Sequence, residues 1–90
     1  MTDEVEEMLV TQYHELIEAV DDEDEKWIEE ERDALVCIIK AYTFRSKSRE
    51  AVDWVFFQAL DLPDHSPMRP VLQEAYERVN DFARARLGRR

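Results

Sequence analysis

Ninety residues with 44% hydrophobic side chains, including two Trp, three Tyr and four Phe, suit one small folded domain and exclude a disordered chain. One glycine and three prolines are too few for the turns of a β-rich fold and leave a few long helices. A formal net charge of −10 excludes direct contact with a nucleic-acid backbone, which needs clustered Lys and Arg.

The first predicted helix covers about residues 3–20, with Thr2 or Asp3 as N-cap and acids in the first turn. Val5, Leu9, Tyr13, Leu16, Ile17 and Val20 recur at steps of three and four and form one apolar stripe. Glu15 and Glu18 fall on the far side. Five consecutive acids come next, Asp21, Asp22, Glu23, Asp24 and Glu25. Such dense like charge resists continuing a helix and suits the N-terminus of another.

The second helix is predicted over about 24–44. Trp27, Ile28, Leu35, Ile38, Ile39 and Tyr42 supply its stripe, and Glu30 and Asp33 point away from it. Cys37, the only cysteine, lies off the stripe between Ala34 and Ala41. It reads as a small residue in a helix contact, and a lone cysteine excludes an intrachain disulfide framework. Phe44 to Ser48 is the next break, with Ser46 or Ser48 as cap.

A third helix, about 49–60, is apolar on two sides. Ala51, Val52, Val55, Phe56 and Ala59 make one face, while Trp54 and Phe57 lie well round the helix from it. Such a helix is central to the fold or covered by another chain. With little material left in 90 residues, Trp54 and Phe57 are expected at an interface. Pro63 to Pro67 supplies turn chemistry, and Asp64 or Ser66 can cap the last helix. Pro70 fits only a first helical turn, so that helix is predicted over about 68–87. Val71, Leu72, Ala75, Tyr76, Val79, Phe82 and Ala83 form its stripe. Gly88 is placed to end it, and Arg84, Arg86, Arg89 and Arg90 complement its C-terminus.

Together these elements predict an all-α fold, one domain over 1–90, built as a small antiparallel bundle of about four amphipathic helices and expected to dimerise. No apolar run is long enough to span a bilayer. The acidic start lacks the pattern of a signal peptide, so a cytoplasmic protein is expected.

One pattern could carry metal chemistry. Glu15 and Glu18, then Glu30 and Asp33, are carboxylate pairs three apart, and two such helices side by side could offer hard oxygen ligands to Mg²⁺. The runs His14-Glu15-Leu16-Ile17-Glu18-Ala19-Val20 and Glu29-Glu30-Glu31-Arg32-Asp33-Ala34-Leu35 resemble the ExxE and ExxD signature of MazG-type nucleoside triphosphate pyrophosphohydrolases. The resemblance covers about residues 14–44. It implies an all-helical, oligomeric, Mg²⁺-dependent hydrolase with Glu15, Glu18, Glu30 and Asp33 as metal ligands. The other reading, favoured by a chain with 22 acids in 90 residues, makes all four solvated surface groups and leaves the protein without a cofactor. Neither His14 nor His65 has a second ligand at useful spacing. A single glycine excludes a glycine-rich phosphate loop.

Charge is unevenly distributed. Residues 1–34 carry 15 acidic and 2 basic side chains, while residues 35–90 carry 7 and 10. The leading expectation is a non-enzymatic interaction module with a basic protein partner. Its acidic face comprises Asp21, Asp22, Glu23, Asp24, Glu25, Glu29, Glu30 and Asp33, and Trp54 and Phe57 form an apolar contact. An inhibitor, an immunity-type protein and a nucleic-acid mimic all use such a face. A small dimeric structural or adaptor protein is the remaining alternative. No membrane contact is expected.

Overall fold

Capping fixes where each helix begins. In this computed structural model, which describes residues 1–87, Thr2 Oγ1 accepts the Val5 N–H at 3.3 Å and opens α1 (Asp3–Asp22). Asp24 Oδ1 accepts the Trp27 N–H at 3.2 Å and opens α2 (Glu25–Ser46). For α3 (Glu50–Leu60) the helping group is Ser48, whose hydroxyl accepts the Glu50 N–H. Ser46 instead ends α2, donating its hydroxyl to the Tyr42 carbonyl. Ser66 does the same service for α4 (Met68–Leu87) as Ser48 for α3, by accepting the Met68 N–H. Asp64 is taken by Arg69 at 2.6 Å. Pro70 lies in the first turn of α4, where its missing N–H leaves no bond unmade. Gly88, Arg89 and Arg90 lie outside the described residues.

α1 and α2 each run two residues further than the sequence pattern predicts. Both end on a non-glycine residue in the left-handed region: Glu23 at φ 59° and Lys47 at φ 55°. These residues donate their N–H groups to the Val20 and Thr43 carbonyls, which satisfies acceptors that a helix end would otherwise expose. A side chain in that region costs about 1–2 kcal/mol. The terminating bonds offset the strain.

Side-chain partners give the helix directions. Gln12 meets Glu31, and Val5 and Met8 lie beside Ile38 and Tyr42, so α1 and α2 are antiparallel. Arg49 reaches Asn80 and Phe56 stacks near Tyr76, so α3 and α4 are antiparallel as well. Between α2 and α4 the partners rise together: Arg32 with Glu74, Asp33 with Arg78, Lys40 with Phe82, Phe44 with Arg86. Those two helices are parallel and packed side by side. In a simple ring of four alternating helices they would be diagonal. Here α2 touches each of the other three helices, and α1 and α4 barely meet. The central helix is therefore α2, not the doubly apolar α3.

Burial follows from that placement. Leu9, Leu16, Leu35, Ile39, Val52, Val55, Leu72 and Val79 are fully buried, and burying a Val, Leu or Ile side chain contributes about 1.5–3 kcal/mol. Ala19, Ala51, Ala75 and Ala83 are fully buried among them. The expected stripe of α2 is widened by Val36 and Thr43, because this helix is packed on more than one side. Its rim residues Trp27, Ile28, Ile38 and Tyr42 are only partly covered.

Among the described residues, Thr43 carries the one polar side chain in this core. It is fully buried, and its hydroxyl has no hydrogen-bond partner. An unsatisfied buried hydroxyl costs about 1–3 kcal/mol, whereas an apolar group of the same shape does not. Thr43→Val is therefore expected to stabilise the fold by about 1 kcal/mol, seen as a higher urea midpoint with an unchanged denaturant slope. A lower midpoint would show that the hydroxyl is satisfied in solution.

Candidate interaction surface

α1 contains eight Asp and Glu and no Lys or Arg. Its inward arc is taken by Leu9, Leu16, Ala19 and Val20, and every one of its acids is exposed. Along a helix of 20 residues, about 30 Å long, the acids make an interrupted strip: one group at residues 3–7 and one at 15–22, with none at 8–14 between them. The run after it turns the corner into α2. Asp21 and Asp22 end α1, Glu23 is its left-handed cap, Asp24 caps α2, and Glu25 is the first residue of α2. Glu29 and Glu30 continue the exposed acids along the first turns of α2.

These groups are not neutralised by any of the described residues. Among the described residues, none of the α1 acids, and none of Glu23, Asp24, Glu25, Glu29 and Glu30, forms a salt bridge. Their placement is also electrostatically adverse. Asp21, Asp22 and Glu23 crowd the negative end of the α1 dipole, where an anion destabilises by about 0.3–1 kcal/mol, and no basic residue occupies that last turn. Asp24 differs, since its carboxylate has a structural task as N-cap.

Asp33 stands apart from the rest of the face. It accepts from Arg78 at 2.8 Å and lies 3.5 Å from Arg32, and Glu74 receives both arginines at 3.2 and 3.0 Å. Arg32 is mostly buried, so this alternating cluster ties α2 to α4. Its neighbour Glu31 faces the other way, accepting from Gln12 Nε2 at 2.6 Å and from Trp27 Nε1 at 3.2 Å. One turn of α2 thus binds α4 through residues 32–33 and α1 through residue 31.

The four carboxylates of the ExxE and ExxD pattern do not meet. Glu15 and Glu18 lie on the outward face of α1, Glu30 is exposed on α2, and Asp33 is held by arginine. Among the described residues, no three His, Cys, Asp or Glu side chains are grouped to hold a metal ion. His14, His65 and Cys37 are exposed.

The two aromatics singled out on α3 have different surroundings. Trp54 packs edge-on against Tyr13 of α1, ring centres 5.9 Å apart, and is partly buried by that contact. Burial, and then the Asp61 carboxylate, push the Tyr13 phenol above its ordinary value. Phe57 remains 57% exposed, joined by Phe56 at 37% and Leu60 at 51%. The uncovered apolar patch of α3 is therefore Phe56, Phe57 and Leu60. Sequence periodicity missed Phe56 and Leu60 because it places them on or beside the inward stripe. On α2, exposed Phe44 is capped by the Arg86 guanidinium at 4.4 Å, a cation–π contact.

One ionic contact reaches from the start of the chain to α3. The Met1 amino group and the Tyr42 hydroxyl both donate to Glu50 Oε1. The amine's hydrogen bond, then that of Tyr42, hold the Glu50 carboxyl below its ordinary value of 4.5. A carboxyl depressed in the folded state stabilises above its unfolded value, and that contribution is lost as pH falls through the folded value. Acid unfolding should therefore be less steep in Glu50→Gln than in the wild type below pH 4.5, and the Glu50 carboxyl should titrate below that value by NMR. Equal acid profiles would show that the contact is not formed in solution.

Comparison with protein-family models, curated proteins and solved structures found no match to this chain.

Proposed function

We propose that this protein is a non-enzymatic interaction module that presents the outer face of α1 and the α1–α2 corner to a basic protein. The observation that carries this reading is the run of exposed acids at residues 21–23, which form no salt bridge among the described residues; the negative end of the α1 dipole opposes all three, and the left-handed backbone disfavours Glu23 as well. A sequence selected only for stability has better choices there, such as a glycine cap and basic residues in the last turn. Acids grouped at both ends of one helix face steer a cationic partner over about a Debye length, roughly 8 Å at physiological salt. A partner with a basic groove would be occluded by it, in the manner of an inhibitor or a nucleic-acid mimic.

The test exploits the conflict between stability and binding. Asp21→Asn, Asp22→Asn and Glu23→Gly together leave the Asp24 cap untouched. The triple variant should be more stable than the wild type, by about 1 kcal/mol, and should lose salt-sensitive capture of basic proteins from native lysate. Duplex DNA should compete for the captured protein if the acids stand in for phosphates. Capture unchanged by the triple variant would sink the reading.

A second reading is favoured by α3. Phe56, Phe57 and Leu60 form an exposed apolar patch on the half of the chain where charges nearly balance, and a two-fold contact there would enlarge a small core. This dimer would use Phe57 without Trp54, whose ring already meets Tyr13. Sedimentation equilibrium should find a dimer that Phe57→Lys converts to monomer. A wild-type monomer at micromolar concentration would exclude it.

A further inference from the structure

The acidic strip has an apolar edge. Along its α2 side, a groove of about 630 Å³ is lined by Glu4, Glu7, Met8, Thr11, Gln12 and Ile38. A second hollow, of about 240 Å³, shares Met8 and Ile38 and extends to Cys37, Ala41 and Arg45. The shared residues make the two hollows one trough between the helices. Its centre is apolar, with Met8 52% exposed and Ile38 partly buried. Its α2 wall is low, because Cys37 and Ala41 have short side chains that let another backbone come close. Its α1 wall carries Glu4 and Glu7, which form no salt bridge among the described residues.

We propose that this trough docks a cationic amphipathic helix of the partner, with apolar side chains over Met8 and Ile38 and Lys or Arg against Glu4 and Glu7. A helix laid in a groove delivers apolar residues at steps of three, four and seven along one edge. Its basic flank then lies over the acids of α1. Charge selects this occupant over a second copy of the chain. A second copy carries a net charge of −10, and one docked by its own α1, which has no Lys or Arg, would set acid against acid. An anionic surface is repelled for the same reason. The acids bring the helix in, and removal of Met8 and its neighbours from water holds it. The proposal rests on the acidic-surface reading and adds the site at which that surface becomes selective.

The probe is a synthetic peptide of about eighteen residues, long enough to form a helix on binding, with Leu on one stripe and Lys elsewhere. The control has the same composition with Leu spread around all sides. Cys37 lines the trough and is exposed, so its rate of alkylation by iodoacetamide reports occupancy. The amphipathic peptide should slow that reaction and shift the backbone NMR signals of Met8, Thr11, Ile38 and Ala41. The control should bind about tenfold more weakly, and Met8→Gln should weaken the amphipathic peptide to a similar degree. Ala41→Trp, which fills the trough, should also block it. Equal binding of both peptides, with Cys37 reacting at its free rate and shifts confined to 21–25, would overturn the trough and leave the acidic surface standing. Binding of neither peptide at low salt would overturn both.

Discussion

Everything in this fold hangs on α2 being packed from several directions. Leu35 and Ile39 sit at the centre of its buried arc, Val36 and Thr43 widen that arc, and Ile38 carries it round to α1. A helix on the outside of a bundle needs only a single stripe. The hub needs more, and α2 accommodates a buried hydroxyl at Thr43 and partly covered aromatics at its rim. The polar contacts repeat the same geometry, since Glu31 reaches α1 while Arg32 and Asp33 reach α4. Without that arc, α1 would have only its edge contact with α3 to hold it, because it barely meets α4.

Charge is sorted by the same arrangement. α1 lies to one side of the hub, away from most of the arginines, which cluster in α4 and at the α2–α4 seam. Arg32, Arg78 and Arg86 are engaged there with Asp33, Glu74 and Phe44. Among the described residues, the basic side chains of the second half pair with only one acid of the first 34 residues, Asp33. The attraction between the halves that the sequence allows is confined to one seam, and the strip on α1 is left to solvent and to partners.

Much of the helical architecture was legible in the sequence, because caps and periodicity are local. Thr2 and Ser66 were among the candidate caps because of their own side chains, the acid run marked the start of the second helix, and the stripe from Val71 to Ala83 locates α4. The ends of α1 and α2 were less legible, since Glu23 and Lys47 adopt a backbone conformation that residue type disfavours and that only the closing hydrogen bonds sustain. In sequence, Phe44 looks like the end of a helix. It becomes the platform for Arg86 because two helices distant in sequence lie parallel.

The candidate surface divides in the same way. Composition alone set the acid excess of the first 34 residues, and the absence of basic residues from α1 is a property of the chain in any conformation. Whether those acids would be neutralised was a question of which helices become neighbours, and periodicity carries no information about that. Spacing grouped Glu15, Glu18, Glu30 and Asp33, but the fold turns the first two outward and gives the last to Arg78. Spacing likewise paired Trp54 with Phe57, and the approach of Tyr13 separated them. The sequence by itself determined helices, caps and the sign of each surface, because these depend on residues a few positions apart. Only the tertiary structure decided which charges were cancelled and which apolar side chains were covered, because both depend on neighbours brought together by packing around α2.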